Sequence, residues 1–295
     1  MRKKDRLLWK AEPQSQERRL EMAMYKFSNH LMFAIVMKDA SLCKQFIERL
    51  FPDRKVADIK FPEGIKVAAE ETIIPGLFSK SVRLDVLFEG NDVYYDIEMQ
   101  VENEPFIPKR ARYYHSSIDT HTLKRGEYYD KLKPCYVIFI CLHDPFKRGE
   151  PLYSFEMYDK NLGLQLGDEN YTIVLDIKCP SGKIPKELES FFSYVSTEEI
   201  DEGDEFIKEI HQRVEEANHD AGVIEIMTLD EHAKMHEAFA FDRGLEQGLE
   251  QGREQGRVEG EKAGLLESAR KMHAEGLDAE LIRKITGLSP ENYQG

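Results

Sequence analysis

Asp85 and Glu98 are acidic residues set in apolar, β-rich sequence, V-R-L-D-V-L-F (82–88) and V-Y-Y-D-I-E-M-Q (93–100). Burying an ionised carboxylate without a partner is costly, and a divalent cation is one partner that offsets the cost. Two carboxylates on neighbouring strands can hold Mg2+ while leaving coordination positions for water and a phosphate. Those are the requirements of metal-assisted phosphodiester hydrolysis. Gln100 follows Glu98 by two residues and points to the same side. Its amide carries no charge and takes up no proton, so it can orient water or ligate weakly. Arg83, two residues before Asp85, reads equally as a partner or as a charge balancer for these acids.

These residues need a hairpin to hold them. The two β-rich runs flank E-G-N-D (89–92), a turn sequence. Alternation along the second strand puts Asp96, Glu98 and Gln100 on one face, with Tyr95, Ile97, Met99 and Val101 on the other. Helices are expected over 17–51, interrupted at Lys38-Asp39-Ala40, with Ser41 capping the second and Pro52 just past its end. An extended first strand is expected within 53–74, ahead of Pro75-Gly76. Beyond the hairpin, I-P-K-R-A-R-Y-Y-H-S-S-I-D-T-H-T-L reads as a helix with Pro108 in its first turn. It carries Lys109, Arg110, Arg112 and Tyr113, candidates for gripping or lining a nucleic-acid backbone; the plainer reading is a solvated face over packed aromatics. C-Y-V-I-F-I-C-L is uniformly apolar, as a strand covered on both faces is, and further strands are expected near 152–158 and 171–177. The sum is an α/β core with a mixed central sheet flanked by helices.

Composition narrows the class. No apolar run approaches the roughly 20 residues that span a bilayer, and the basic N-terminus lacks the apolar stretch of a secretory signal. The four cysteines show no C-x-x-C spacing, which fits a reduced, cytoplasmic protein without structural zinc. The net charge of −14 argues at first against nucleic acid, but it is unevenly placed. Residues 1–50 hold 11 Lys and Arg against 6 Asp and Glu, whereas residues 186–240 hold 4 against 16. The acidic excess therefore belongs to the C-terminal half.

With the residues in this order the chain resembles the PD-(D/E)XK nuclease superfamily, whose pattern is Asp, a spacer, then Glu-x-Lys on the next strand. Here 12 residues separate Asp85 from Glu98, and Gln100 stands at the Lys position. More narrowly it is similar to the recombination-promoting nuclease/putative transposase (Rpn) family. The likeness runs through S-N-H-L-M-F-A-I-V-M-K-D, V-R-L-D-V, Y-D-I-E-M-Q, R-A-R-Y-Y-H-S-S-I-D and Y-V-I-F-I-C-L-H-D-P-F. The resemblance implies a restriction-endonuclease-like core, Mg2+-dependent DNA cleavage (with Mn2+ as an alternative cation), and a role in recombination or transposition. It maps Asp85 and Glu98 onto metal ligands and Gln100 onto the third motif position. It also calls for a further acid, for which Glu70 and Glu71 are the candidates; spacing does not choose between them, and either also reads as a surface residue. The alternative is a weak or inactive member that acts as a DNA-binding or assembly protein.

Four regions are expected: a nuclease-like domain over 1–184, an acidic helical region over 185–240, a Gly-tetrad segment over 241–265 and a short helical tail over 266–295. The tetrad places Gly at 244, 248, 252, 256, 260 and 264, also typical of the resembled family. Each costs a helix about 0.8–1 kcal/mol relative to Ala, so a lone helix here is marginal. The segment reads either as a solvated helical spacer or as a surface for homo-oligomerisation. His232 and His236 share a helix face but lack the H-E-x-x-H pattern and read as solvated, and Asp144 before Pro145 suits a turn.

Overall fold

A computed structural model describes residues 24–62, 84–103 and 105–293. Helix α1 spans His30–Val36 and starts where the Asn29 side chain accepts from Leu31 N and Met32 N, at 2.9 and 3.4 Å. Helix α2 spans Ala40–Leu50. Its cap is Asp39 rather than the expected Ser41; Asp39 Oδ1 accepts from Ser41 N and Leu42 N, at 2.8 and 3.4 Å. A carboxylate two atoms from its backbone at the Ncap position satisfies the orphan amides, which leaves Ser41 inside the first turn.

The hairpin comprises β1 (Val86–Gly90) and β2 (Val93–Gln100). Its loop is two residues, Asn91 and Asp92, both at positive φ (53° and 60°), as a type I′ turn requires. Gly90 closes the strand because a Cβ there would lie 2.6 Å from Val56 Cγ1. Helix α3 (Ile107–Thr122) follows, with Pro108 in its first turn. Then come β3 (Cys135–Cys141), β4 (Leu152–Phe155) and β5 (Asn170–Asp176). The five strands pair in the order β1-β2-β3-β5-β4, antiparallel at both edges and parallel through β2, β3 and β5. Of the first strand expected within 53–74, the described residues 53–62 make only an isolated bridge, Lys60 to Glu89, and the rest lies outside the described residues.

Register divides the sheet into two faces. One carries Val86, Phe88, Tyr95, Ile97, Met99, Ile138 and Ile140, buried against α1, α2 and two later helices, α4 (Lys186–Thr197) and α5 (Glu205–Asn218). The acidic sequence after residue 184 is thus amphipathic: Phe191, Phe192, Phe206 and Ile210 are fully buried while the carboxylates face outward. The opposite face carries Leu87, Val137, Phe139 and Val174 beneath Ile107, Ala111, Tyr114 and Ile118 of α3.

The described residues divide into two compact units between Met227 and Thr228. Helix α6 runs over Ala221–Ala274 and contains the whole Gly tetrad, at each of whose positions an added Cβ would meet open space. Gly276, at φ 78°, ends that run, and α7 (Ala279–Thr286) packs Ile282 with Ala269 and Tyr293 in a small core of its own. Past Ser289 the chain makes a single 3-10 turn, Pro290–Asn292. Among the described residues no helix is long and apolar enough to cross a membrane.

Candidate active site

The acids of the hairpin meet on the face covered by α3. Asp85 sits one residue ahead of β1, where the register extends to put it opposite Glu98. Each carboxylate is held by the other strand's backbone. Asp85 N donates to Glu98 Oε1 and Met99 N donates to Asp85 Oδ2, both at 2.9 Å. The side chains thereby stand where ladder hydrogen bonds would otherwise continue, and the strands end with two carboxylates fixed side by side. Asp85 is 7% exposed, Glu98 2% and Asp96 0%.

Arg110, on the first turns of α3, approaches this group from above. Its Nη2 lies 3.4 Å from Glu98 Oε2 and donates to the Tyr114 hydroxyl at 2.8 Å, while Nη1 donates to Gln100 Oε1. Gln100 Nε2 is committed to the Met99 carbonyl at 2.8 Å. The guanidinium also lies over the Tyr114 and Phe139 rings, 5.4 and 5.6 Å from their centroids. The planar fork is thus fixed by partners on four sides, which a lysine ammonium would not match.

Asp96 is the surprise of the site. Alternation places it beside Glu98, yet its position two residues earlier gives it no part in the Asp…Glu-x-Gln spacing. It is wholly buried, and among the described residues no protein donor reaches either of its oxygens. A hydrogen bond to Glu98 forms only if a proton is held between the two carboxyls. Burial, followed by the Asp85 charge, raises the Asp96 pKa well above the ordinary carboxylate range. The same causes, with Asp96 added, raise Glu98, and Arg110 offsets only part of it. Burial, then Glu98, also pushes the Tyr114 hydroxyl up, so it stays a neutral partner for Arg110.

This electrostatic state fits a divalent cation. Three buried carboxylates face one described cation, Arg110, and a hard oxygen-rich site with one amide is the donor chemistry of Mg2+. Among the described residues no group of three or more His, Cys, Asp or Glu side chains is placed to hold a metal ion together. An open pair of carboxylates suits an ion that keeps several of its waters. Glu70, Glu71 and Arg83 lie outside the described residues.

The remaining candidates separate around α3. Arg110 is brought to the acids. Lys109 is exposed and lies 5.8 Å from the Phe106 ring centroid. Arg112 is exposed on another side of the helix, at the edge of a cavity over β5, and Tyr113 packs against the α3 core. The Arg110–Tyr114 pair was legible only as an i, i+4 spacing on a helix. Asp144 serves its turn: its carboxylate accepts from Phe146 N, Arg148 N, Gly149 N and the Tyr153 hydroxyl at 2.7–2.9 Å. Against the burial that would raise it, these bonds hold its pKa down to about 2. His232 and His236 are both exposed on α6.

Residues 25–179, more than half of the chain and the whole of this sheet, match the family described as PD-(D/E)XK nuclease family transposase. The chain belongs to that family. The matched region contains the hairpin, α3 and the central strands, so membership and site geometry rest on the same residues. Membership supports a nuclease or transposition-related role with DNA as substrate. Nuclease families of this kind generally use divalent metals such as Mg2+. No curated protein and no solved structure matches the chain.

Proposed function

We propose that this family member is a Mg2+-dependent DNA endonuclease that hydrolyses phosphodiester bonds in recombination or transposition. The observation that carries the reading is the interlocked pair Asp85–Glu98, each held at 2.9 Å by the other strand's backbone, with the buried Asp96 carboxyl behind it. Backbone anchoring fixes two oxygen donors before any ion arrives, and burial that disfavours the ionised acids gives a cation binding there a reason to be retained.

Asp85 and Glu98 would hold the ion, with Glu70 or Glu71 as the further acid; Mn2+ suits the same oxygen donors. When bound, Mg2+ supplies charge neutralisation at the phosphoryl oxygens and acidifies water. Arg110 holds Glu98 and Gln100 in place and presents a partly exposed guanidinium toward a phosphate. Gln100 orients but accepts no proton, so a proton released by the attacking water leaves to solvent rather than to this side chain. Lys109 and Arg112 hold flanking phosphates, and Tyr113 braces α3 beneath them. Cytoplasmic residence is supported by the four cysteines, all buried and unpaired. Homo-oligomerisation through α6 and α7 is supported by exposed Leu245, Leu249 and Val258 on a long helix.

A second reading, a weak or inactive DNA-binding or assembly member, draws on Gln100, whose two polar ends are already engaged by Arg110 and Met99. Nicking of supercoiled plasmid by the full chain decides between them. The expected result is cutting with Mg2+ or Mn2+, none in EDTA, and loss of at least a hundredfold in Asp85→Ala and Glu98→Ala. Cutting that survives both substitutions refutes the site. No cutting, together with no heat on calorimetric Mg2+ titration, favours the second reading.

A further inference from the structure

On the far side of α3 from the acids lies a cavity of about 590 Å3, walled by α3, β5 and the segment leading out of β4. Helical spacing explains the division. Arg110 and Tyr114 face the hairpin carboxylates, whereas Arg112, His115 and Asp119 line the cavity. The endonuclease reading gives Arg112 a flanking phosphate but leaves His115 and Asp119 without a task.

The lining is amphipathic in a particular way. Phe155 and Tyr158 border the cavity and are 44% and 54% exposed, so aromatic side chains reach solvent at its mouth. Deeper in, His115 is almost fully buried; Nε2 meets Thr172 Oγ1 at 3.1 Å, but buried Nδ1 has no partner among the described residues. Burial lowers the His115 pKa to about 4, so at neutral pH the imidazole is uncharged and one ring nitrogen seeks a hydrogen bond. Asp119 and Asp168 also line the cavity. Burial and then the Asp168 charge raise Asp119, a strain that donated N–H groups would relieve. Arg112 stands at the edge, exposed.

We propose that this cavity receives one unpaired nucleobase bearing an exocyclic amine, from a strand whose phosphates pass Arg112. Phe155 and Tyr158 offer the stacking surface, and the base amine donates to Asp119 or Asp168, with His115 as a neutral wall of the cavity. The proposal rests on the nuclease reading, since it shares that reading's DNA and extends its path across α3, a helix about 10 Å wide. It assigns the chain a base preference, for cytosine or a purine over thymine, that the carboxylate pair alone does not give.

The test is fluorescence anisotropy of the full chain in EDTA with short labelled oligodeoxycytidylate, oligothymidylate and an abasic strand of equal length. Cytidylate is expected to bind about tenfold tighter than the other two. Ser116→Trp, at an exposed position on the cavity edge, is expected to abolish that advantage while leaving abasic affinity and the thermal midpoint unchanged. Equal binding of all three strands by the unaltered protein overturns the base site and leaves the nuclease reading standing. Thymidylate bound as tightly as cytidylate overturns the amine recognition. Binding of no strand overturns the base site, and the nuclease reading is then judged by plasmid nicking with Mg2+ alone. A change of oligomeric mass in Ser116→Trp, with strand affinities intact, assigns the cavity to a second copy and also overturns the proposal.

Discussion

Asp96→Asn tests the electrostatic argument most directly. The residue is fully buried, its carboxylate oxygens meet no protein donor among the described residues, and its neighbour Glu98 is another acid. An amide of the same shape donates to Glu98 without needing a shared proton. An unsatisfied buried polar group costs about 1–3 kcal/mol, so in EDTA near pH 8 the variant gains stability of that order. For a unit of this size the gain raises the melting temperature by about 2–12 °C. The sign with pH follows from the raised folded-state pKa. Folding favours the protonated acid, so its contribution is fully present below the ordinary value of 3.8 and is lost as pH rises toward the folded value. The advantage of Asn over Asp therefore grows from pH 5 to pH 8, and saturating Mg2+ shrinks it by stabilising the wild type. Differential scanning calorimetry across that range, with EDTA and with Mg2+, measures all three. A destabilised variant at pH 8 in EDTA, or a difference that does not change with pH, refutes the claim that burial beside the Asp85–Glu98 pair disfavours ionised Asp96.

Two further expectations concern the helices. A chain ended at residue 185 loses Phe191, Phe192, Tyr194, Phe206 and Ile210 from the core and fails to fold, whereas one ended at residue 240 keeps them and melts cooperatively, as circular dichroism would show. Gly248→Ala with Gly252→Ala meets no steric obstacle within α6 and stabilises that helix by about 1.6–2 kcal/mol in all, readable as slowed amide exchange. If the double variant instead lowers the oligomeric mass in sedimentation, the small residues are needed for close helix contact between copies.

The hairpin, the buried central strand and the helix after Gln100 were legible because each is written in local pattern. Two-residue alternation, a turn sequence with Asn and Asp, and Pro108 in a first turn need no distant partner to take effect. The cap of α2 was misplaced by two residues because Ser41 and Asp39 both suit the position, and the carboxylate of Asp39 took both amides. The acidic stretch after residue 184 read as a separate region because its charge dominates composition, while its burial depends on a sheet face built far earlier in the chain.

By itself the sequence determined which acids share a strand face and that Glu98 and Gln100 stand together, since side-chain direction in a strand is a local property of the backbone. Tertiary structure decided how those acids are held and what surrounds them. Only the docking of α3 brings Arg110 to Glu98 and Gln100, seals Asp96 from water, and turns Arg112 and His115 toward a separate cavity. Desolvation and charge pairing depend on groups distant in the chain, so the feature that favours a cation at the site emerges only when helix and sheet close on one another.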